Sequence, residues 1–473
     1  MLRDVSGTTW TVSEVADLSS AATGWLRSAG VREGMTVAWQ LPSHVNAAVL
    51  MLALARMAVV QAPVLHLYRP REVRAAIEVA AADVLLVDES TAESAPAGVR
   101  TVVVPPDLSE RLRGVDAAEP APTETRSKPG WVYFTSGTTG RPKAVRHSDA
   151  TLLSASRGYV AHLGVGGRPD EVGTIAFPIA HIGGMVYLAC ALLGDFPVLL
   201  VPKVTAEGLP SLLAEHRVTV TGSSTAFYQM LLAAQIAAPT RELLIPSLRM
   251  LIGGGAPCPP EVHRAVRQHL RVPIVHAYGM TEAPMVCVSE VTDSDEQLAN
   301  SSGRPIPGSS VRVSGSGEIE LRGDHLTPGY VDAEQWARAT TEDCWFRTGD
   351  RGRFRADGRI VLTGRTKDLI IRKGENIAPD EIENELLAHP LVDEIAVLGQ
   401  PDQLRGELVC AVVRRSPRHR DVTLAELCTF LDERGLMKQK WPERLVVVDE
   451  FPLTGLGKVA KAELAQLISG GTT

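Results

Sequence analysis

The chain has 473 residues, 45% hydrophobic and 22% charged, with 48 Lys plus Arg against 55 Asp plus Glu and a formal net charge of −7. Such a length exceeds one ordinary core and predicts two or more domains, while an acidic balance without any basic block excludes a protein built to track a nucleic-acid backbone. Cys190, Cys258, Cys287, Cys344, Cys410 and Cys428 form no CxxC pair and meet no His cluster at zinc spacing, so they read as buried thiols of a reducing compartment, and a cytoplasmic location is expected. The N-terminus, MLRDVSGTTW, lacks the apolar core of a signal peptide. The stretches Ala47 to Leu65 and Met185 to Val201 carry Arg56 and Asp195 and contain prolines; they read as buried helix and strand, with no membrane span expected.

In chain order, Thr36 to Leu41 reads as a strand, Val45 to Arg56 as a helix, Val59 to Val64 as a strand, Arg71 to Ala81 as a helix and Val84 to Val87 as a strand. The rhythm returns at Val172 to Phe177, Pro197 to Val201, Val218 to Gly222, Arg249 to Ile252 and Ile274 to Tyr278. This alternation predicts parallel sheets covered on both faces by helices, with ligands at the carboxyl ends of strands. Glu119 to Pro129 and Asp293 to Gly308 read as linkers. After Gly308 come short strands at Ser310 to Val313, Glu318 to Arg322, Gly352 to Phe354 and Arg359 to Thr363. The end of the chain is mixed, with helices at Pro379 to Ala388 and Leu424 to Arg434 and strands near Glu394 to Gly399 and Leu408 to Arg414. The expected architecture is α/β: a large N-terminal domain of parallel-rich sheets flanked by helices plus a small β-barrel-like unit over residues 1–364, then a small α+β C-terminal domain over residues 365–473.

Chemistry concentrates in a few short runs. In Trp131 to Lys143, WVYFTSGTTGRPK, a strand feeds a loop of hydroxyl residues and glycines closed by a lysine, which suits an anion cradled by backbone N–H groups, hydroxyls and one charge. It is not the common NTPase loop, because Pro142 stands where that motif needs lysine and no Ser or Thr follows Lys143. LIGGGAPC ends a strand in three glycines, which would let backbone approach a flat ligand. HAYGMTEA ends another strand in Tyr278, Thr281 and Glu282, FRTGD puts Asp350 after a tight turn, and PLTGLGK places Lys458 in a Gly-rich loop.

These runs, in this order and over nearly the whole chain, resemble the adenylate-forming superfamily of acyl-CoA synthetases, nonribosomal peptide adenylation domains and beetle luciferases. The junction GRTKDLIIRKGENIAPDEIE, beginning at Gly364, is similar to the domain junction of that superfamily. The resemblance implies that Thr135, Ser136, Gly137, Thr138, Thr139 and Lys143 hold the β- and γ-phosphates of ATP. Gly254, Gly255, Ala256 and Pro257 would line the adenine, and Tyr278 would stack on it. Thr281 would meet the α-phosphate and Glu282 would hold Mg²⁺, a hard cation suited to carboxylate and phosphate oxygens. Asp350 would accept the ribose hydroxyls, with Arg365 nearby. Lys458 would bridge the substrate carboxylate and the α-phosphate, where two anions must meet. Lys367 would be the hinge of a rotating C-terminal domain and Gly374 would line the coenzyme A tunnel.

For the acyl pocket the resemblance points to His181, Phe227, Gly253, Gly279 and Met280; His181 is equally explained as a wall or gate of that pocket and as a buried structural histidine. Three positions depart from the usual pattern: Ala144 and Leu456 replace Gly and Thr or Ser in the two loops, and Thr225 stands where proline is common. The implied activity is ATP-dependent carboxylate:CoA ligation on an alicyclic, aromatic or medium-chain acid. A small-molecule acid, ATP and CoA are the expected partners, and homodimers are common among the relatives. An acyl-adenylating enzyme that loads a carrier protein is the alternative, and a non-catalytic nucleotide-binding protein the third reading.

Overall fold

The alternating runs fold into two large sheets and two smaller ones. The computed structural model describes all residues except 116–129, 136–141, 176, 240–241, 256–257, 366–369, 373–374, 403–405, 437, 455–457 and 471–473. The expected linker Glu119 to Pro129 lies outside the described residues. By internal contacts the chain divides into two units: Met1–Cys258, Val262–Val311 and Leu321–Phe346 form the first, and Pro259–Glu261, Arg312–Glu320 and Arg347–Thr473 the second. This division falls earlier than residue 364 because Ile360–Arg365 pairs antiparallel with Phe346–Phe354.

In the first unit, a seven-stranded sheet runs in the order Gly329–Tyr330, Lys143–His147, Trp131–Thr135, Val60–Pro63, Thr36–Gln40, Val84–Val87, Thr101–Val103. Trp131–Thr135 and the four strands beyond it are parallel, and the two strands at the other edge are antiparallel. A nine-stranded sheet follows the order Arg304–Pro305, Ala283–Val288, Ile274–Met280, Met250–Gly254, Val220–Thr221, Gly173–Ile175, Val198–Leu200, Leu2–Arg3, Thr9–Trp10. Its strands from Leu2–Arg3 to Ile274–Met280 are parallel.

The apolar stretches are helix plus strand, as expected: Val45–Arg56 with Val60–Pro63, and Ile182–Gly194 with Val198–Leu200. Helix Val45–Arg56 is buried along most of its length, which explains an apolar run without a polar face. Among the described residues no helix is long and apolar enough to cross a membrane. Trp39, Leu50, Leu54 and Trp131 anchor the main core, and each buried side chain of that size stabilises by about 1.5–3 kcal/mol.

In the second unit, the short strands form a four-stranded sheet in the order Ser309–Val313, Glu318–Gly323, Phe346–Phe354, Ile360–Arg365; Ser309 to Val311 and Leu321 to Gly323 count with the first unit. A five-stranded sheet built around Gly406–Arg414 packs with helices Pro379–Leu386 and Leu424–Glu433 over a core that includes Ile382, Val397, Val409 and Leu427.

Three expectations need correction. Asp293 to Gly308 is not a plain linker: it contains helix Asp295–Asn300, started by a capping box between Ser294 and Gln297, and the edge strand Arg304–Pro305. The cysteines are not uniformly buried, since Cys344 is exposed and Cys258 and Cys428 are half-buried. Asp350 does not follow a turn but lies inside strand Phe346–Phe354, directly after Gly349 at φ +75°.

The glycine run also has a different physical basis from the expected one at two of its three positions. A Cβ on Gly254 would sit 2.0 Å from the Ala277 carbonyl oxygen, and one on Gly253, at φ +134°, 2.0 Å from that of Ser223. Neighbouring backbone therefore fills the space a side chain would take. Gly255, at φ +81°, meets nothing within 4 Å. Gly254→Ala is expected to destabilise the first unit by ~3 kcal/mol, as overpacking does, whereas Gly255→Ala carries only the backbone term of ~1 kcal/mol. Thermal unfolding of both variants checks this, and equal losses would contradict it.

Candidate active site

The loop between Trp131 and Lys143 joins two paired strands. Trp131–Thr135 and Lys143–His147 form an antiparallel hairpin in which Thr135 lies opposite Lys143. Because Trp131–Thr135 also runs parallel to Val60–Pro63, the loop leaves from the carboxyl end of a parallel strand, where such sheets hold ligands. Ser136, Gly137, Thr138 and Thr139 lie outside the described residues.

A second hairpin comes from the nine-stranded sheet. Ile274–Met280 pairs antiparallel with Ala283–Val288, with a register shift between Tyr278 and Met280, and its turn is Thr281 and Glu282. Three hydrogen bonds fix this turn against the edge of the other sheet. The Tyr330 hydroxyl donates to Glu282 Oε1 at 2.7 Å, the Thr327 N–H donates to the Glu282 carbonyl at 2.8 Å, and His147 Nε2 donates to the Thr281 carbonyl at 2.7 Å. Lys143 Nζ stands 5.3 Å from the centroid of the Tyr330 ring, within cation–π range. One buried tyrosine thus gathers a cation on its face and a carboxylate on its hydroxyl.

The charge states follow from burial. Desolvation pushes the His147 imidazole down to about 4, against a smaller raising effect from its bond to Thr281 and a lowering one from His325. It is therefore neutral near pH 7, with its proton on Nε2, while Nδ1 faces the Thr151 hydroxyl at 2.9 Å. Burial first, then the Glu282 charge, holds the Tyr330 phenol well above its ordinary range, so it remains a donor. Glu282 is 9% exposed, and among the described residues no three His, Cys, Asp or Glu side chains cluster as a metal site. A single carboxylate fits an ion that takes its remaining ligands from phosphate and water, as Mg²⁺ does.

The residues expected beside the nucleotide base and the acyl group have the following surroundings. Tyr278 is buried opposite Cys287, and Gly254 pairs with Ala277 in the adjacent strand. Ala256 and Pro257 lie outside the described residues. His181 is the N-cap of helix Ile182–Gly194: its Nδ1 accepts the Gly183 N–H at 3.0 Å, and its ring stacks on Phe177 with centroids 4.9 Å apart. Phe227 is buried in a cluster with Tyr228, Leu231 and Leu251. Gly279 packs close to the Met285 backbone, where a Cβ would meet Met285 N at 2.6 Å, and Met280 is half-buried at the strand end.

In the second unit, Asp350 and Arg365 occupy opposite register positions in neighbouring antiparallel strands. Asp350 is 8% exposed, and its N–H donates to Thr348 Oγ1 at 3.0 Å. Lys458 is exposed in a loop closed by the Leu453–Val459 bridge, with its N–H donated to Thr454 Oγ1 at 3.2 Å. Lys367 and Gly374 lie outside the described residues. Sequence reasoning missed Tyr330, His147 and Thr327. A Gly-Tyr pair in LTPGYVD and a histidine three residues after Ala144 carry little signal until the strand pairing brings them to Glu282.

Two hairpins stand at the ends of parallel strands, and a small α+β unit follows in the chain. The chain belongs to the AMP-binding enzyme family: the model for that family matches residues 2–331, and the model for the AMP-binding enzyme C-terminal domain matches residues 381–458. It is 28% identical to the medium-chain fatty-acid–CoA ligase of Escherichia coli (strain K12), over 97% of this chain and 86% of that protein. It is 30% identical to the salicyl-AMP ligase / salicyl-S-ArCP synthetase of Mycobacterium tuberculosis (strain ATCC 25618 / H37Rv), over 97% of this chain and 84% of that protein. The crystal structure of ATP-bound MatB from Rhodopseudomonas palustris superposes with a TM-score of 0.88 at 29% identity, covering 98% of this chain and 95% of that one. The family and the expected α/β architecture are thereby established.

The depressed ionisation of His147 has a consequence for stability. Its native value of about 4 lies below the ordinary ~6.5 of the unfolded chain, so its contribution is complete above that value and is lost as pH falls toward 4. At pH 5 the loss is about 2 kcal/mol. His147→Gln, whose amide can still donate to the Thr281 carbonyl, is expected to narrow the difference in melting temperature between pH 7 and pH 5. An unchanged difference would show that His147 is not held neutral.

Proposed function

We propose that the protein is an ATP-dependent carboxylate:CoA ligase acting on an alicyclic, aromatic or medium-chain acid. In the first half-reaction a substrate carboxylate oxygen attacks the α-phosphorus of ATP and pyrophosphate leaves. In the second, the CoA thiol attacks the acyl-adenylate carbonyl, a thioester forms and AMP leaves. The observation that carries this reading is the convergence of Lys143 and Glu282 on Tyr330, a cation and a carboxylate held by one buried tyrosine.

On this reading Thr135, Lys143 and the loop between them hold the leaving pyrophosphate. Glu282 would hold Mg²⁺, which screens phosphate charge when bound. Thr281 contacts the α-phosphate, and the bond from His147 to its carbonyl keeps that turn in place. Asp350 accepts from the ribose hydroxyls as an acceptor-only group. Lys458 offsets the repulsion between the incoming carboxylate and the α-phosphate. Residues 1–364 and 365–473 act as the large and the mobile domain, with Lys367 as hinge and Gly374 at the CoA path, so that the lysine loop and the CoA path serve successive half-reactions. The similarity to a salicyl-S-ArCP synthetase supports a second reading, in which the acceptor is the pantetheine thiol of a carrier protein.

ATP–pyrophosphate exchange over a panel of carboxylic acids, followed by thioester formation with free CoA or with a phosphopantetheinylated carrier, tests both readings. Exchange with a ring or medium-chain acid and transfer to free CoA are expected; no exchange with any acid would sink both. Lys458→Ala should lower adenylation by about 10²–10³-fold while leaving thioester formation from preformed acyl-adenylate in place. A bulky residue at Gly374 should do the reverse. Equal losses in both steps for both variants would argue against alternation.

A further inference from the structure

Two buried tyrosines outside the groups named so far share a pocket with Gly253, one of the residues expected at the acyl group. Tyr159, from helix Asp149–Leu163, and Tyr187, from helix Ile182–Gly194, line one small pocket together with Phe177, Gly183, Gly253 and Met285. Tyr159 is 1% exposed and Tyr187 7%. Among the described residues neither hydroxyl has a hydrogen-bond partner, and an unmade buried bond is costly. The buried Tyr133 hydroxyl is in the same position; what sets this pair apart is that both tyrosines line one pocket.

The pocket has a volume of about 20 Å³, room for one water or one polar group of a ligand, not for a hydrocarbon tail. Its walls are pinned. The Tyr187 hydroxyl lies against Gly173, where a Cβ would be only 2.5 Å from it, and its ring packs edge-on to Phe196. Met285 holds a left-handed backbone, φ +55°, a conformation that persists in a bulky residue only where surroundings enforce it. Gly253 and Gly183 connect the pocket to the strand end and helix start around His181. Among the described residues no charged side chain lines it, and burial keeps the phenols of both lining tyrosines protonated, as neutral O–H donors.

We propose that Tyr159 and Tyr187 are specificity-determining residues, and that the acid activated here is compact and carries a neutral hydrogen-bond acceptor, such as a ketone, hydroxyl or ring heteroatom, at the end remote from its carboxylate. This rests on the ligase reading above and narrows its substrate. A donor pair left unmatched discriminates against the plain hydrocarbon analogue far more strongly than an apolar wall discriminates between hydrocarbons. Among the described lining residues a second carboxylate or an ammonium group would find no counter-charge.

The test is kcat/KM in ATP–pyrophosphate exchange for matched acids: cyclohexanecarboxylate against its para-keto analogue, benzoate against para-hydroxybenzoate, and hexanoate against its penultimate-keto analogue. In the wild-type protein the oxygenated member of at least one pair is expected to lead by roughly tenfold or more. Tyr159→Phe and Tyr187→Phe should each pull that ratio toward one. Equal or better use of the hydrocarbon member in every pair overturns the inference even if neither variant folds. A wild-type preference that survives both substitutions overturns the role of the tyrosines. Either result leaves the ligase reading standing, whereas no exchange with any acid removes that reading and this inference with it.

Discussion

The first unit depends on a buried carboxylate that cannot be left unpaired. Glu282 sits at a hairpin turn with 9% exposure, and removing the partner of such a group leaves an uncompensated buried charge. Tyr330 meets that demand at 2.7 Å, and it can do so only because Gly329–Tyr330 is paired with Lys143–His147. The partner of the carboxylate therefore comes from the other sheet. With the bonds from Thr327 and His147 to the same turn, it ties the carboxyl-end hairpin of the nine-stranded sheet to the edge hairpin of the seven-stranded one. Distortion at either hairpin is felt at Glu282, and the site is as rigid as the joint between two sheets.

Burial then distributes charge within the site. His147 is pushed to neutrality, and Tyr330 is kept protonated by desolvation and the adjacent carboxylate. Both serve as neutral donors, leaving the fixed charges to Lys143 and Glu282. A donor that cannot ionise near pH 7 adds direction without adding a competing charge, and in surroundings of low dielectric that direction is worth more than in water. The group with the greatest proposed electrostatic task, Lys458, belongs to the other unit. It is exposed there.

Much of this was legible in the sequence. Helix Val45–Arg56 and strand Val84–Val87 fall where their periodicity puts them, because long apolar runs leave few alternatives. Strands Trp131–Thr135, Met250–Gly254 and Ile274–Met280 end within three of the motif runs. What was not legible is mostly contact between distant segments: Tyr330 reaches Glu282 across 48 residues and His147 reaches Thr281 across 134, with no local pattern to mark either. Helix Asp295–Asn300 was missed although Ser294 and Gln297 form a readable cap, since a turn-rich composition outweighed a two-residue signal. Asp350 resembled a turn former because Thr-Gly-Asp is turn chemistry, yet the pairing with Ile360–Arg365 keeps it in a strand.

The glycines and tyrosines around the acyl side sharpen what a motif can tell. Gly253 and Gly254 lack side chains because neighbouring backbone already occupies the space, so their presence reports sheet packing and would be needed even without a ligand. Tyr159 and Tyr187 look like ordinary core aromatics in helical sequence, and a phenylalanine would pack almost as well at either position. Among the described residues their hydroxyls find no hydrogen-bond partner and leave an unsatisfied donor. A polar atom that the fold does not use, placed where the fold leaves a small pocket, therefore says more about the guest than a glycine that the fold requires.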